Sequence, residues 1–497
     1  MSGESGSESV AYTTLGGEEK SLPGSALEPL RAGIRGGVLL AGEPGYDAAR
    51  AIWNAMIDHR PAVIARCLSS RDVRNAVGFA REHGMLLSVR GGGHHIAGNA
   101  VAEGGLTIDL SPMRSVHVDV DQRRARVGGG ALLGDVDHET QAFGLAIPLG
   151  INSTTGFGGL CLGGGFGWLT RKYGLTIDSL ISADVVTADG TLHVASSSRE
   201  PDLFWAIRGG GGNFGVVTSF ELQLHPVGPL VHSGLVVYPG AQAREVLRGW
   251  RDFTEAAPDE LAVWAVLRKA PPLPFLPPEV HGTDVVVLAT VYAGDVEDGV
   301  RATAPLSKLG QPIASVLASQ PYAAFQQAFD PLLAPGARNY WKSSDFDELA
   351  DDALDLFVEA ARTLPGPECE VFIAQLGGAM GRVASSATAY AGRNAQYVMN
   401  VHGRWRSASD DQTVRAWARR IFDLATPFAT GGGYVNFLTE DESARVASAY
   451  GPNYERLREL KRRFDPANLF RMNQNILPPD ATDRRVTQRA QARGIPR

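Results

Sequence analysis

An α+β fold built in more than one part is expected for this chain, on three observations. Up to residue 227, short apolar runs of strand character alternate with amphipathic helical stretches. Past Pro226 the glycine clusters thin, the elements lengthen and a proline-rich loop spans 271–278, which places a boundary near residue 228. Glycine then returns at Gly431, Gly432 and Gly433 and opens a further segment. With 497 residues, 44% apolar and 20% charged, the chain can bury a large core, and disorder, collagen and coiled coil are excluded.

The elements follow in order. The stretch to about Glu28 is rich in Gly, Ser and Glu and reads as mobile. A helix is expected over 46–57. Ser69 and Asp72 have capping-box spacing ahead of Val73, Val77 and Ala80, a helical stripe that stops at Gly84. Strands are expected at 86–90, 106–110, 116–120 and 125–127, and a helix over 133–143 stops at Gly144. Residues 150–175 show no clear period. Asp189-Gly190 sits between two strand-like runs as a hairpin turn. A helix over 201–207, a tight glycine loop at 209–212 and a strand over 216–224 complete the first part. A helix is expected around 450–464, and the tail 484–497 is basic and peripheral.

Composition bounds the function. A net charge of −7 argues against nucleic-acid and anionic-membrane partners, which favour basic patches. No apolar run reaches the ~20 residues of a bilayer span, and the first residues, MSGESGSES, lack the features of a secretion signal. Three cysteines (Cys67, Cys161, Cys369) cannot build a disulfide framework, so a cytoplasmic location is expected.

Glycine carries the functional signal. Residues 210–215 spell G-x-G-x-x-G, but a dinucleotide fingerprint needs a strand before and a helix after, and the order here is reversed. A Walker loop is excluded because the chain has no Gly-Lys pair. Gly159-Leu-Cys161-Leu-Gly163 imitates a nucleophile elbow outside a strand-turn-helix context; the alternative is a buried structural cysteine. Three backbone-exposing loops (90–98, 156–166 and 209–215) point to one large anionic cofactor held by main-chain N–H groups, against the alternative of three unrelated turns.

Longer motifs decide between these. Arg90-Gly-Gly-Gly-His94-His95-Ile-Ala-Gly98, GFGGLCLGGGFGWLTRKY at 156–173, GLTIDSL at 174–180 and DLFWAIRGGGGNFGVV at 202–217 resemble the berberine-bridge-enzyme-like flavoproteins of the vanillyl-alcohol-oxidase superfamily. The resemblance resumes with YVNF at 434–437, YGPNY at 450–454 and RFDPANLFRMNQNILP at 463–478. It implies a PCMH-type FAD-binding domain of two α+β subdomains over 58–227, preceded by a tail and helix over 1–57. A substrate domain over 228–430 follows, an antiparallel sheet covered by helices, and a segment over 431–497 returns to the FAD domain. It also implies FAD contacts from Arg90, Gly91, Gly92, Gly93, His94, His95, Gly98, Thr155, Gly156, Gly158, Gly159, Asp178, Val217, Asn473 and Asn475. His94 matches the histidine that relatives join covalently to the flavin, and a plain loop histidine is the alternative; His95 matches a supporting role. The second tether of many relatives, a cysteine, falls near Asn152, so single attachment is expected.

By the same resemblance Thr155 occupies the position that gates dioxygen, and its small size favours an oxidase, with a small-molecule substrate and dioxygen as partners. A dehydrogenase using another acceptor and a flavin-loaded protein without turnover are the alternatives. The base is not supplied by the resemblance. A tyrosine common in relatives is Ile96 here, and another common base aligns near Asn400, an amide that takes no proton at neutral pH. Tyr434, Asn436, Lys342 and His402 remain as candidates, each with a purely structural role as its alternative.

Overall fold

The structure, a computed structural model, describes residues 9–479; the basic tail and the first eight residues lie outside it. The glycine-rich start is ordered where it is described. Val10–Thr13 and Glu19–Leu22 form an antiparallel hairpin, with Tyr12 and Leu22 buried. The Tyr12 hydroxyl donates to the His83 carbonyl, and Thr13 exchanges main-chain bonds with Gly104 and Leu86. Two buried side chains and these bonds outweigh a composition that reads as mobile. The helix expected over 46–57 ends at Arg50. Its continuation is extended because Trp53 Nε1 donates to Leu333 O and the Asn54 amide to Ile96 O and Asn339 O.

Two sheets precede residue 224. A four-stranded sheet runs in the order Val38–Leu39, Val63–Arg66, Leu106–Asp109, Leu87–Arg90, its last two pairs parallel. The helix Ser70–His83 covers it. Ser69 Oγ accepts from the Asp72 N–H while the Asp72 carboxylate accepts from Leu68 N–H, and Gly84 closes the helix at φ +60°, so the start and stop lie where capping chemistry puts them. A five-stranded antiparallel sheet has Val216–Gln223 at its centre, beside Leu180–Val186 and Arg124–Gly128. Helix Pro201–Ile207 precedes the 209–215 loop and a strand follows it, which is the reverse of a dinucleotide fingerprint. The stretch 150–175, without period in sequence, folds as two short helices, Phe157–Leu162 and Thr170–Tyr173, joined by glycine turns.

From residue 230 the chain builds a larger antiparallel sheet. Its central strands run in the order Leu230–Pro239, Asp284–Tyr292, Leu261–Lys269, Glu370–Gln375, Tyr397–Trp405, Arg338–Phe346. Alternation sorts its two faces. Val236, Tyr238, Val263, Leu288, Ile373 and Met399 pack beneath helices Ala243–Glu255, Asp351–Arg362 and Asp411–Ala425, while Leu235, Val237, Trp264, Val287, Phe372 and Asn400 face a cavity. The chain thus belongs to the α+β class, with a four-stranded and a five-stranded sheet followed by an antiparallel sheet under helices. No helix among the described residues is long and apolar enough to cross a membrane.

One buried acid makes a pH prediction. Asp137, on helix Leu133–Gln141, accepts from Gln326 Nε2 at 3.1 Å, but its Oδ1 is buried without a partner. Burial pushes its carboxyl up to about 7. A group raised on folding contributes stability that is complete below its unfolded range near 4 and is lost as pH rises through about 7. Asp137→Asn should therefore raise the melting temperature at pH 8.5, by about 2–4 °C, and leave it unchanged or lower at pH 5; thermal melts at the two values check it.

Candidate active site

The three glycine loops converge. A cavity of about 390 Å³ is lined on one side by Gly91, Gly92, Gly93, His94, His95, Gly156, Gly158, Gly159, Gly211, Gly212, Gly215 and Val217, with Asn473 and Gln474 from the C-terminal segment. Two of the loops touch through backbone alone. A Cβ on Gly92 would stand 2.3 Å from the Gly156 nitrogen, and one on Gly156 would stand 2.3 Å from the Gly92 nitrogen. Neither position tolerates a side chain without moving main chain. Gly92→Val should cost more than the ~1–3 kcal/mol of ordinary overpacking and leave the protein colourless after purification, read by its absorption spectrum and thermal melt.

His94 is held by two threonines. Its Nε2 lies 2.9 Å from Thr154 Oγ1, and Thr154 gives its own proton to Asn152 Oδ1 at 2.8 Å. Thr154 can therefore only accept, so His94 carries its proton on Nε2 and leaves Nδ1 bare. The ring stacks on Trp53 at 5.2 Å, and burial, with Arg90 nearby, pulls its pKa down to about 3. It is a neutral imidazole whose Nδ1 lone pair faces the Thr155 hydroxyl at 3.4 Å. His95, pulled down to about 4 by burial, accepts from the Ala97 N–H at 3.3 Å.

The opposite side of the cavity is aromatic. Trp341 meets Phe437 at 5.2 Å, Phe437 meets Phe166 at 5.7 Å, Phe166 meets Trp264 at 6.0 Å and Trp264 meets Phe372 at 5.2 Å, all edge to face. Tyr434 and Asn436 also line the cavity. The Tyr434 oxygen accepts from Gly165 N–H at 3.1 Å and from Asn436 Nδ2 at 2.8 Å. Burial nevertheless pushes its phenol up to about 12, so it stays protonated at neutral pH. Asn400 and His402 lie on the sheet face of the cavity.

Several expected residues stand elsewhere. Lys342 faces away from the cavity because it alternates with Trp341 on its strand; its ammonium donates to Asp441 and Thr439 and pairs with Glu442. It is a structural cation. Asp178 accepts both Nη groups of Arg393, at 2.7 and 2.8 Å, and the Leu175 N–H, which ties the 174–180 turn to the distal chain. Arg90 pairs with Asp109 at 3.2 Å, and a Cβ on Gly98 would meet Ile57; neither lines the cavity. Cys161 is fully buried and burial pushes its thiol well up, so it has no nucleophile character.

An extended, anionic, backbone-contacting group such as FAD fits the glycine side. A Cβ at Gly159 would meet no protein atom within 4 Å, so that stretch of backbone is open to a ligand, and Asn473 Oδ1, on the cavity lining, is buried without a partner; Asn475, expected as a contact, does not line the cavity.

Comparison with known proteins agrees. Residues 61–196 match the FAD binding domain family and residues 433–477 the berberine and berberine-like family. The chain is 33% identical over 459 residues to (R)-6-hydroxynicotine oxidase of Paenarthrobacter nicotinovorans, covering 90% of this chain and 97% of that one. It belongs to the berberine-bridge-enzyme-like FAD-linked oxidoreductases. Among solved structures, this FAD-linked oxidoreductase is similar to 6-hydroxy-D-nicotine oxidase from Arthrobacter nicotinovorans (TM-score 0.81, 30% identity, 91% of this chain and 99% of that one). It is also similar to xylooligosaccharide oxidase from Myceliophthora thermophila (TM-score 0.79, 25% identity, 92% and 100%).

Sequence reasoning missed Trp53, Trp264, Trp341, Arg268 and Glu370 in this oxidoreductase, all of which line the cavity. The period-2 run Trp264, Val266, Arg268 was the available signal, but alternation alone does not say which sheet face holds a ligand.

Proposed function

We propose that this FAD-linked oxidoreductase is an oxidase that takes a hydride from a C–H beside nitrogen or oxygen in a small molecule with a flat apolar or aromatic body, with dioxygen reduced to hydrogen peroxide. The aromatic cage of Trp341, Phe437, Phe166, Trp264 and Phe372 facing the glycine loops carries this reading. A sugar chain would leave many hydroxyls unmatched against such a wall, so an amine like that oxidised by the nicotine-oxidase relative is favoured over an oligosaccharide. In this reading residues 58–227 hold the cofactor, 228–430 the substrate, and 431–477 close both.

FAD, when bound, supplies the two-electron acceptor and passes electrons on to dioxygen. The chain's own residues orient the reaction. His94, neutral and without a proton on Nδ1, is the residue that would hold the flavin covalently, through that atom. Thr155 lies 3.4 Å from His94 Nδ1, lines the cavity, and by its small size leaves room for dioxygen. Tyr434, protonated and held by two N–H donors, can give its own proton as a hydrogen bond to the substrate heteroatom. An amine needs no protein base, because its nitrogen lone pair takes up the positive charge as the C–H bond breaks. The cysteines Cys67, Cys161 and Cys369 are buried and unpaired, which supports a reducing, cytoplasmic setting.

Oxygen uptake and peroxide formation with a panel of aryl-bearing cyclic amines, benzylic alcohols and xylooligosaccharides test this. Turnover of the aryl amines is expected. Uptake with oligosaccharides alone would overturn the substrate class, and reduction of a quinone dye without oxygen uptake would make the protein a dehydrogenase.

A further inference from the structure

The sheet face of the cavity carries one polar row in an apolar wall. Register aligns Arg268 with Glu370, Glu370 with His402, and His402 with Trp341 across four strands, and all four line the cavity. The adjacent row holds Val287, Val266, Phe372 and Asn400. Pro271, Leu273 and Phe275, from the loop that follows Arg268, line the same cavity and limit water there.

A half-buried ion pair in such a place needs a reason, since apolar residues of similar volume hold a sheet as well or better. Its hydrogen bonding is incomplete. Glu370 accepts from Arg268 Nη1 at 2.9 Å and lies 3.2 Å from His402 Nδ1, which leaves about half of a carboxylate's acceptor sites open. Arg268 Nε donates to Lys269 O, and its Nη2 has no partner among the described residues. Burial pushes the Glu370 carboxyl up, but Arg268 and His402 outweigh it and hold it at about 2, so that carboxylate stays ionised. His402 is committed on both nitrogens: its Nε2 lies 3.3 Å from Asn339 Oδ1, whose amide is fixed by its donation to Ala337 O. It lies against Glu370 Oε1 and so positions that carboxylate.

We propose that Arg268 and Glu370 form a substrate anchor that reads a neutral group carrying both a hydrogen-bond donor and an acceptor, a hydroxyl or a lactam N–H/C=O. A full cation would be opposed by Arg268 and a full anion by Glu370, whereas a dipolar neutral group satisfies the open sites of both. The anchor lies one pleat, about 7 Å, along the strands from the Phe372–Asn400 row. The inference rests on the cavity being the substrate site.

Calorimetric titration of the FAD-loaded full-length protein with matched fragments tests it: phenol against anisole, and 2-pyridone against 1-methyl-2-pyridone. The donor-bearing member of each pair is expected to bind at least about tenfold tighter, and which pair shows the larger ratio tells hydroxyl from lactam. In the Arg268→Gln/Glu370→Gln double variant both ratios should fall to within about threefold. Should that variant fail to fold, Glu370→Gln alone carries the same comparison, with circular dichroism confirming the fold. Equal binding of the methylated fragments to the native protein, or a ratio that survives the substitutions, overturns the anchor. Absence of FAD or of oxygen uptake would instead count against the functional reading, because fragment binding is read without turnover.

Discussion

His94→Ala is expected to convert an acid-stable flavoprotein into one that releases all of its FAD when the chain is precipitated with acid. Thr154 hands its proton to Asn152 and so can only accept from His94 Nε2, which leaves Nδ1 as the one nucleophilic atom. Burial and Arg90 keep the ring neutral down to about pH 3, so attachment should proceed across the working range. Colour and fluorescence in the supernatant of the variant, and in the pellet of the native protein, are the result to look for; a tryptic peptide carrying the flavin mass would locate the bond at His94. Thr154→Val should slow attachment without abolishing it, because the ring is then free to take the other tautomer. If the tether contributes as little as about 1.4 kcal/mol to the transition state, turnover of His94→Ala falls about tenfold.

Lys461→Met is expected to be the most damaging single change to stability. The Lys461 ammonium is fully buried and donates to Asn213 O at 2.7 Å, Phe470 O at 2.9 Å and Asp465 Oδ2 at 2.7 Å. Burial pulls it down to about 8, but Asp465 opposes this and the cation persists at neutral pH. Asp465 in turn accepts from the N–H groups of Leu469 and Phe470. Removing the lysine leaves the buried Asp465 charge uncompensated and the Asn213 carbonyl unmatched, a loss of about 3–5 kcal/mol. The loss is local as well as global, because this clamp ties the 209–215 loop to the segment carrying Asn473. Denaturant titration should show the midpoint shifted, and flavin retention should fall with it. A variant as stable as the native protein would mean the clamp is not what docks the C-terminal segment.

The glycine loops and the helix Ser70–His83 were legible in sequence because their signals are local: a cap, a stop glycine, a cluster that only main-chain contact explains. The aromatic cage was not. Its members come from residues 166, 264, 341, 372 and 437, and nothing local to any of them names the others. Lys342 failed as a base candidate for the same reason. A one-residue step along a strand reverses its face, and only the tertiary partners Asp441 and Glu442 show which face it took. The N-terminal stretch was misread because composition reports average polarity, whereas order there rests on buried residues such as Tyr12, Leu22 and Leu27. Asp178 fits the sequence motif yet serves Arg393, a partner 215 residues away.

The most direct test of the account is an anaerobic titration of the purified yellow protein with the best amine from the oxygen-uptake panel, followed by admission of air. The flavin absorbance should bleach as substrate is added. It should then return within the turnover time on aeration, with one peroxide formed per flavin reoxidised. Bleaching that persists in air, or no bleaching with any amine or alcohol that enters the cavity, would contradict it.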